Sequence, residues 1–216
     1  MTYPSKLVVI AGTGTGVGKT WVGAQLATRL RAAGVTVAAR KPVQSFAPSE
    51  RGSTDAELLA LATGEDAVAV CPEHRWYDLA MAPPMAADAM GREPFSIGDL
   101  AAEIARSWSH NTAIGLVELA GGPRSPITFD GDGVDLTFAL RPHWVLLVAD
   151  AGLGTINAVR LCIDTFRPLD LDVVVVLNHF DESDDLHRRN ADWLVDHLGY
   201  DVVTDLDELI SRLAPS

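Results

Sequence analysis

The residues from 12 to 20, Gly12-Thr13-Gly14-Thr15-Gly16-Val17-Gly18-Lys19-Thr20, have the composition of a phosphate-binding loop. Glycines let a backbone curl until successive N–H groups face the oxygens of one anion, and the positive end of the following helix adds to that field. In such a loop Lys19 reaches the β- and γ-phosphates of a nucleotide, and the Thr20 hydroxyl is a ligand for Mg²⁺. Thr13 stands where the first glycine of the usual spacing belongs, and Gly12 lies one residue earlier. The Gly18-Lys19-Thr20 ending, between an apolar run and a helical pattern, sets the segment apart from a chance glycine-rich turn.

A phosphate loop names a nucleotide and leaves the reaction open. The chain has only three lysines, Lys6, Lys19 and Lys41, against fourteen arginines. Two of the three therefore fall where chemistry is expected, and Lys41 could meet the γ-phosphate from the side opposite Lys19. Ser45 either hydrogen-bonds substrate or caps a turn. Asp55 opens a helical stretch, where an acid also suits the helix dipole. Glu118 closes an apolar strand ahead of Leu119-Ala120-Gly121-Gly122. A carboxylate in that position is costly unless it holds a cation or a partner. Thr20, Asp55 and Glu118 together supply the hard oxygen ligands that Mg²⁺ prefers. Further along, Asn178 ends a strand with an amide that could read a base edge by donating and accepting, or simply terminate the strand. The segment 150–157, Asp-Ala-Gly-Leu-Gly-Thr-Ile-Asn, reads as a loop approaching a ligand or another subunit, or as a turn leading into a helix capped by Thr155. The histidines show no metal-binding spacing.

These residues need elements to position them, and the apolar pattern supplies candidates. Strands are predicted over 7–11, 35–39, 114–118, 144–149, 173–177 and 201–203. Helices are predicted over 19–33, 55–62, 84–90 and 97–108, with a closing helix near the C-terminus and a loop over 46–53. Apolar runs that do not alternate indicate strands buried on both faces, hence a mostly parallel sheet with helices on each side. The expected fold class is α/β, a P-loop NTPase-like domain spanning 1–216. Ligands of such folds bind beyond the carboxyl ends of the strands, where the residues above lie.

Bulk properties narrow the functional classes. A hydrophobic fraction of 48% and a charged fraction of 21% are those of a globular chain. A net charge of −12 opposes broad binding to nucleic acid or anionic membranes. No apolar run approaches the roughly 20 residues of a membrane helix. The N-terminus runs directly into a strand, so no signal peptide is expected. Cys71 and Cys162 sit in apolar surroundings and are expected to be buried, reduced thiols, consistent with a cytoplasmic location.

Five separated segments carry a family resemblance. They are the 12–20 loop, Lys41-Pro42-Val43-Gln44-Ser45, Thr54-Asp55-Ala56, Val117-Glu118-Leu119-Ala120-Gly121-Gly122, and Gly152-Leu153-Gly154-Thr155-Ile156-Asn157. In order and spacing they resemble the dethiobiotin synthetases over about residues 5–180. The resemblance implies an ATP- and Mg²⁺-dependent ligase that closes a ureido ring on 7,8-diaminononanoate with CO₂, in biotin biosynthesis. It implies that Lys19 and Lys41 neutralise the transferring phosphoryl group and that Thr20, Asp55 and Glu118 hold the metal. It sets Gly14, Thr15, Gly16, Val17, Gly18, Trp21, Gly121 and Asn178 against ATP as well. Thr15, Ser45, Gly154 and Asn157 join Lys41 at the substrate, and a homodimer is implied, the 152–157 loop helping form the partner's site. This chain has Leu119 where the family has glycine, and leucine at a strand's end is expected to turn into the core. Gly14 and Gly16 replace frequent acids, Ala158 a frequent histidine, and 199–207 lacks the usual proline. The residues alone leave three other readings: a related ligase with a different acceptor, a partitioning-type ATPase, and a regulatory ATPase without catalysis. The partitioning type is expected to carry a signature lysine early in the loop, where this chain has Gly14.

Overall fold

The computed structural model describes residues 3–47 and 53–214, so most of the predicted 46–53 loop lies outside the described residues. In chain order the elements are β1 (Lys6–Gly12), α1 (Lys19–Ala32), β2 (Val37–Arg40), β3 (Gln44–Ser45), α2 (Asp55–Thr63), α3 (Ala67–Val70) and β4 (Trp76–Tyr77). They continue with α4 (Pro83–Ala89), α5 (Ile97–Ser107), β5 (Ile114–Glu118), α6 (Gly133–Leu140), β6 (Trp144–Asp150) and α7 (Thr155–Phe166). The last are β7 (Asp172–Asn178), α8 (Asp185–Asp192), β8 (Asp201–Val203) and α9 (Leu206–Leu213).

Six strands form one sheet in the order β2-β5-β1-β6-β7-β8, every neighbouring pair parallel. β1 explains why its sequence does not alternate. Leu7, Val9 and Ala11 enter one core with residues of α5, α6 and α7, whereas Val8 and Ile10 enter the other with α1, α2 and α9. Both faces are covered, so both must be apolar. On α1, Val22, Leu26 and Leu30 are fully buried, each contributing about 1.5–3 kcal/mol. The fold class is thus α/β with the expected parallel sheet.

Element boundaries differ where hydrogen bonds compete. β2 starts at Val37 rather than Val35, because the Val35 N–H donates to the Leu30 carbonyl (3.0 Å) and the Gly34 N–H to the Arg31 carbonyl (2.9 Å), closing the end of α1. Gly154, not Thr155, occupies the cap position of α7, and the buried Thr155 hydroxyl has no partner among the described residues. α6, which the apolar pattern did not predict, carries its own signal: Asp132 accepts from Val134 N (2.8 Å) and Asp135 N (3.2 Å) in a capping box. The two-residue pair β3–β4 is too short to leave a periodic trace. Cys71 and Cys162 are buried and free, and burial pushes their thiols up to about 12 and about 11. Among the described residues no helix is long and apolar enough to cross a membrane.

Candidate active site

The turn between β1 and α1 is built around close approach. The Lys19 stem folds back so tightly over Gly12 that a Cβ there would lie 2.8 Å from it, which accounts for glycine one position ahead of the usual spacing. Gly18 caps α1 with φ of 91°, and a Cβ would lie 2.1 Å from Asn178 Nδ2, so only glycine fits. α1 has no acidic residue in its first turn and no side-chain cap. Its leading amides are therefore left for an anion. Lys19 Nζ donates to the Gly14 carbonyl at 2.7 Å and is nearly buried. Burial, and then the charge of Lys41, lowers its pKa to about 8.

Beside this loop four side chains from distant segments meet. Thr20 Oγ1 lies 2.8 Å from Asp55 Oδ1 and 3.0 Å from Glu118 Oε1. A hydroxyl has one proton, so it satisfies only one of them at a time. Lys41 Nζ lies 2.7 Å from Asp55 Oδ2 and 2.5 Å from Glu118 Oε1. Lys41 is 3% exposed and Glu118 1%. Burial works against the Lys41 charge, but Glu118 and then Asp55 outweigh it and hold the ammonium well above its usual range. For Glu118 burial wins: its carboxyl is raised despite Lys41, and the neighbouring Asp55 charge adds to the shift. Asp55, at the mouth of the site, is lowered because Lys41 and the Thr20 hydroxyl overcome its desolvation. Glu118 Oε2 is buried and has no hydrogen-bond partner among the described residues. A buried carboxylate oxygen left without a partner is expensive, and a cation or a hydrogen-bond donor would relieve that cost.

A cleft of about 620 Å³ opens over this cluster. Thr15, Gly16, Gly18, Lys19 and Thr20 line it on the loop side, and Asp55, Glu118 and Gly121 on the adjoining strand and helix ends. Lys41 and Ser45 border it as well, although the Ser45 hydroxyl already donates to the Met81 carbonyl at 2.6 Å. Other expected residues are not among those that line it. Asn178 stands behind the loop, its Nδ2 donating to the Val17 carbonyl at 3.0 Å, which occupies one donor of the amide. The Val17 side chain packs on the core, Gly14 contributes its carbonyl to Lys19, and Trp21 is 53% exposed on α1. Gly154 and Asn157, at the start of α7, do not line this cleft. Leu119 turns into the core as expected, 1% exposed. Among the lining residues that the sequence did not single out is Gln44, 3% exposed, whose only sequence signal is its place in the Lys41–Ser45 segment. Among the described residues no three His, Cys, Asp or Glu side chains cluster as a metal site. Any cation here must draw on the Thr20 hydroxyl, water and phosphate as well as two carboxylates, a donor set that fits Mg²⁺.

A family model described as an AAA domain matches residues 6–211. The ATP-dependent dethiobiotin synthetase BioD of Haloferax mediterranei is 36% identical over 205 residues, covering 94% of this chain and 85% of the relative. Its namesake from Anaeromyxobacter dehalogenans strain 2CP-C is 40% identical over 181 residues, covering 82% and 78%. Solved structures share the fold at low identity. A plasmid partition protein from Borrelia burgdorferi aligns with a TM-score of 0.55 at 10% identity, over 98% of this chain and 96% of that one. The cell division protein FtsY of Thermotoga maritima aligns with a TM-score of 0.50 at 15% identity, over 100% and 70%.

Proposed function

The chain belongs to the ATP-dependent dethiobiotin synthetases, and we propose that it closes the ureido ring on 7,8-diaminononanoate using CO₂, ATP and Mg²⁺. ATP-dependent ligation in biotin biosynthesis follows from the family. The acceptor, the metal and the residue roles are this proposal. The observation that carries it is the meeting of Lys41 with Asp55, Glu118 and Thr20 beside Lys19.

In the proposed reaction one substrate amine attacks CO₂. A C–N bond forms, a C–O π pair becomes a carboxylate lone pair, and the amine loses a proton. A carbamate oxygen then attacks the γ-phosphorus of ATP, and the bond to ADP breaks. The second amine attacks the carbonyl carbon of this mixed anhydride, phosphate leaves with the C–O pair, and the remaining proton is released. Lys19 and Lys41 would neutralise the charge spread over the oxygens of the transferring phosphoryl group, and the α1 amides would stabilise the same group. Lys41 can turn from its carboxylates to the carbamate and phosphoryl oxygens once those carboxylates have another cation. Thr20, Asp55 and Glu118 would hold Mg²⁺, which would supply charge neutralisation for the phosphates. The whole chain is proposed to work as one domain, and as a homodimer. Leu153, 92% exposed beside Gly154 and Asn157, suits a loop that meets a second copy. A monomeric mass in light scattering would remove that last part.

Phosphate release is expected from ATP only when 7,8-diaminononanoate, bicarbonate and Mg²⁺ are all present. Release that ignores the diamine would overturn the acceptor assignment. In the same assay Glu118→Gln should raise the Mg²⁺ concentration needed for half-maximal turnover while the protein stays folded. An unchanged Mg²⁺ titration would take Glu118 out of the metal site.

A further inference from the structure

Gln44 is a buried donor without a partner in the cleft. Its Oε1 accepts from the Ala56 N–H of α2 at 3.1 Å. Exchanging the two ends of the amide would set an N–H against that N–H, so the orientation is determined. Nε2 is therefore turned away from the Ala56 N–H, and it is buried with no acceptor among the described residues. An unmet buried donor is a standing cost that a ligand acceptor would remove. Gln44 lines the cleft together with Lys41, Ser45, Asp55 and Glu118. Ala56, which holds it, directly follows Asp55, whose Oδ2 is 2.7 Å from Lys41. The amide thus stands one residue away from the charged cluster.

The sense of the orphan identifies its partner. A primary amide nitrogen only donates, so it takes an oxygen acceptor and gains nothing from an ammonium group. The two reacting nitrogens of the free diamine are donors when protonated. After CO₂ has added, one of them bears a carboxylate-like group with two acceptor oxygens. Resting on the function proposed above, we infer that Gln44 is a specificity residue that donates from Nε2 to a carbamate oxygen. It thereby favours the carboxylated substrate over the free diamine in the cleft. The buried Glu118 Oε2, an acceptor without a partner, has the opposite sense. Together the two orphans match a site that takes an oxyanion and a cation at once.

The test is calorimetric titration of 7,8-diaminononanoate into protein saturated with Mg²⁺ and a non-hydrolysable ATP analogue, with and without bicarbonate. Gln44→Glu keeps an oxygen for the Ala56 N–H and replaces the donor by an acceptor. Gln44→Met removes both polar ends at similar volume, and either variant suffices if the other fails to fold. Bicarbonate should tighten diamine binding to the wild type, and the variants should lose about ten- to a hundredfold of that gain. Their affinity without bicarbonate and their affinity for the analogue should stay within a few fold. Variants that keep the full gain would overturn the role of Gln44, as would losses equal with and without bicarbonate, the mark of a merely structural side chain. A wild type that releases phosphate with diamine and bicarbonate, yet shows no bicarbonate-dependent gain, overturns this inference and leaves the proposed function standing. A wild type showing neither overturns both.

Discussion

Lys41→Ala is expected to lower kcat by about 100-fold or more while ATP affinity changes only a few fold. The asymmetry follows from position. Ground-state ATP would be held by the loop amides and by Lys19, which the substitution leaves in place. Lys41 approaches from the strand on the far side of β5, where its Nζ sits 2.7 Å from Asp55 and 2.5 Å from Glu118. In the proposed reaction its charge would therefore serve a phosphoryl group in transfer more than one at rest. Removing it also leaves two carboxylates with less compensation, and Glu118, already raised by burial, should take up a proton more readily still. Some stability is lost with it, so kcat is to be measured on protein shown folded by circular dichroism. Single-turnover rates and nucleotide titrations then separate the two effects. Equal losses in both would make Lys41 an ordinary ATP ligand.

The second large effect concerns Leu119→Gly, which introduces the glycine that the family resemblance implies at this position. The Leu119 side chain is 1% exposed and belongs to the core shared with α5, α6 and α7. Its Cδ1 comes so close to Gly133 that a Cβ there would lie 3.1 Å away. Deleting the side chain should cost roughly 2–5 kcal/mol of stability, with glycine's backbone entropy adding to the cavity term. Diamine affinity should barely move, because the side chain points away from the cleft. Denaturant unfolding measures the first and diamine-dependent turnover the second. A glycine variant with unchanged stability but new or much tighter use of the diamine would show that Leu119 shapes the acceptor pocket.

Leu119 also shows how far local pattern reaches. A leucine one step past a buried strand reads as core from its polarity alone, and the fold agrees. The same holds for the phosphate loop, whose function depends on backbone curvature over a few adjacent residues. The parallel sheet was legible too, since strands covered on both faces must be apolar at every position. The Val35 boundary was not, because one N–H had two suitors and the end of α1 was the nearer. Gln44 left no signal beyond its motif, since its meaning lies in a bond to Ala56 made across a loop.

Local residue patterns thus sufficed for the nucleotide loop, the parallel α/β class and the set of strand ends from which a site would be drawn. Which of those ends meet follows from the packing of the whole chain. Strand order sets β5 between β1 and β2, and this brings Glu118 to Thr20, ninety-eight residues earlier, at 3.0 Å. The same order puts Lys41 between two carboxylates and gives an Asn178 donor to Val17. Parallel neighbours are joined through long crossovers, so their order and register come from packing energies summed over both faces of the sheet. No short window of residues contains that sum.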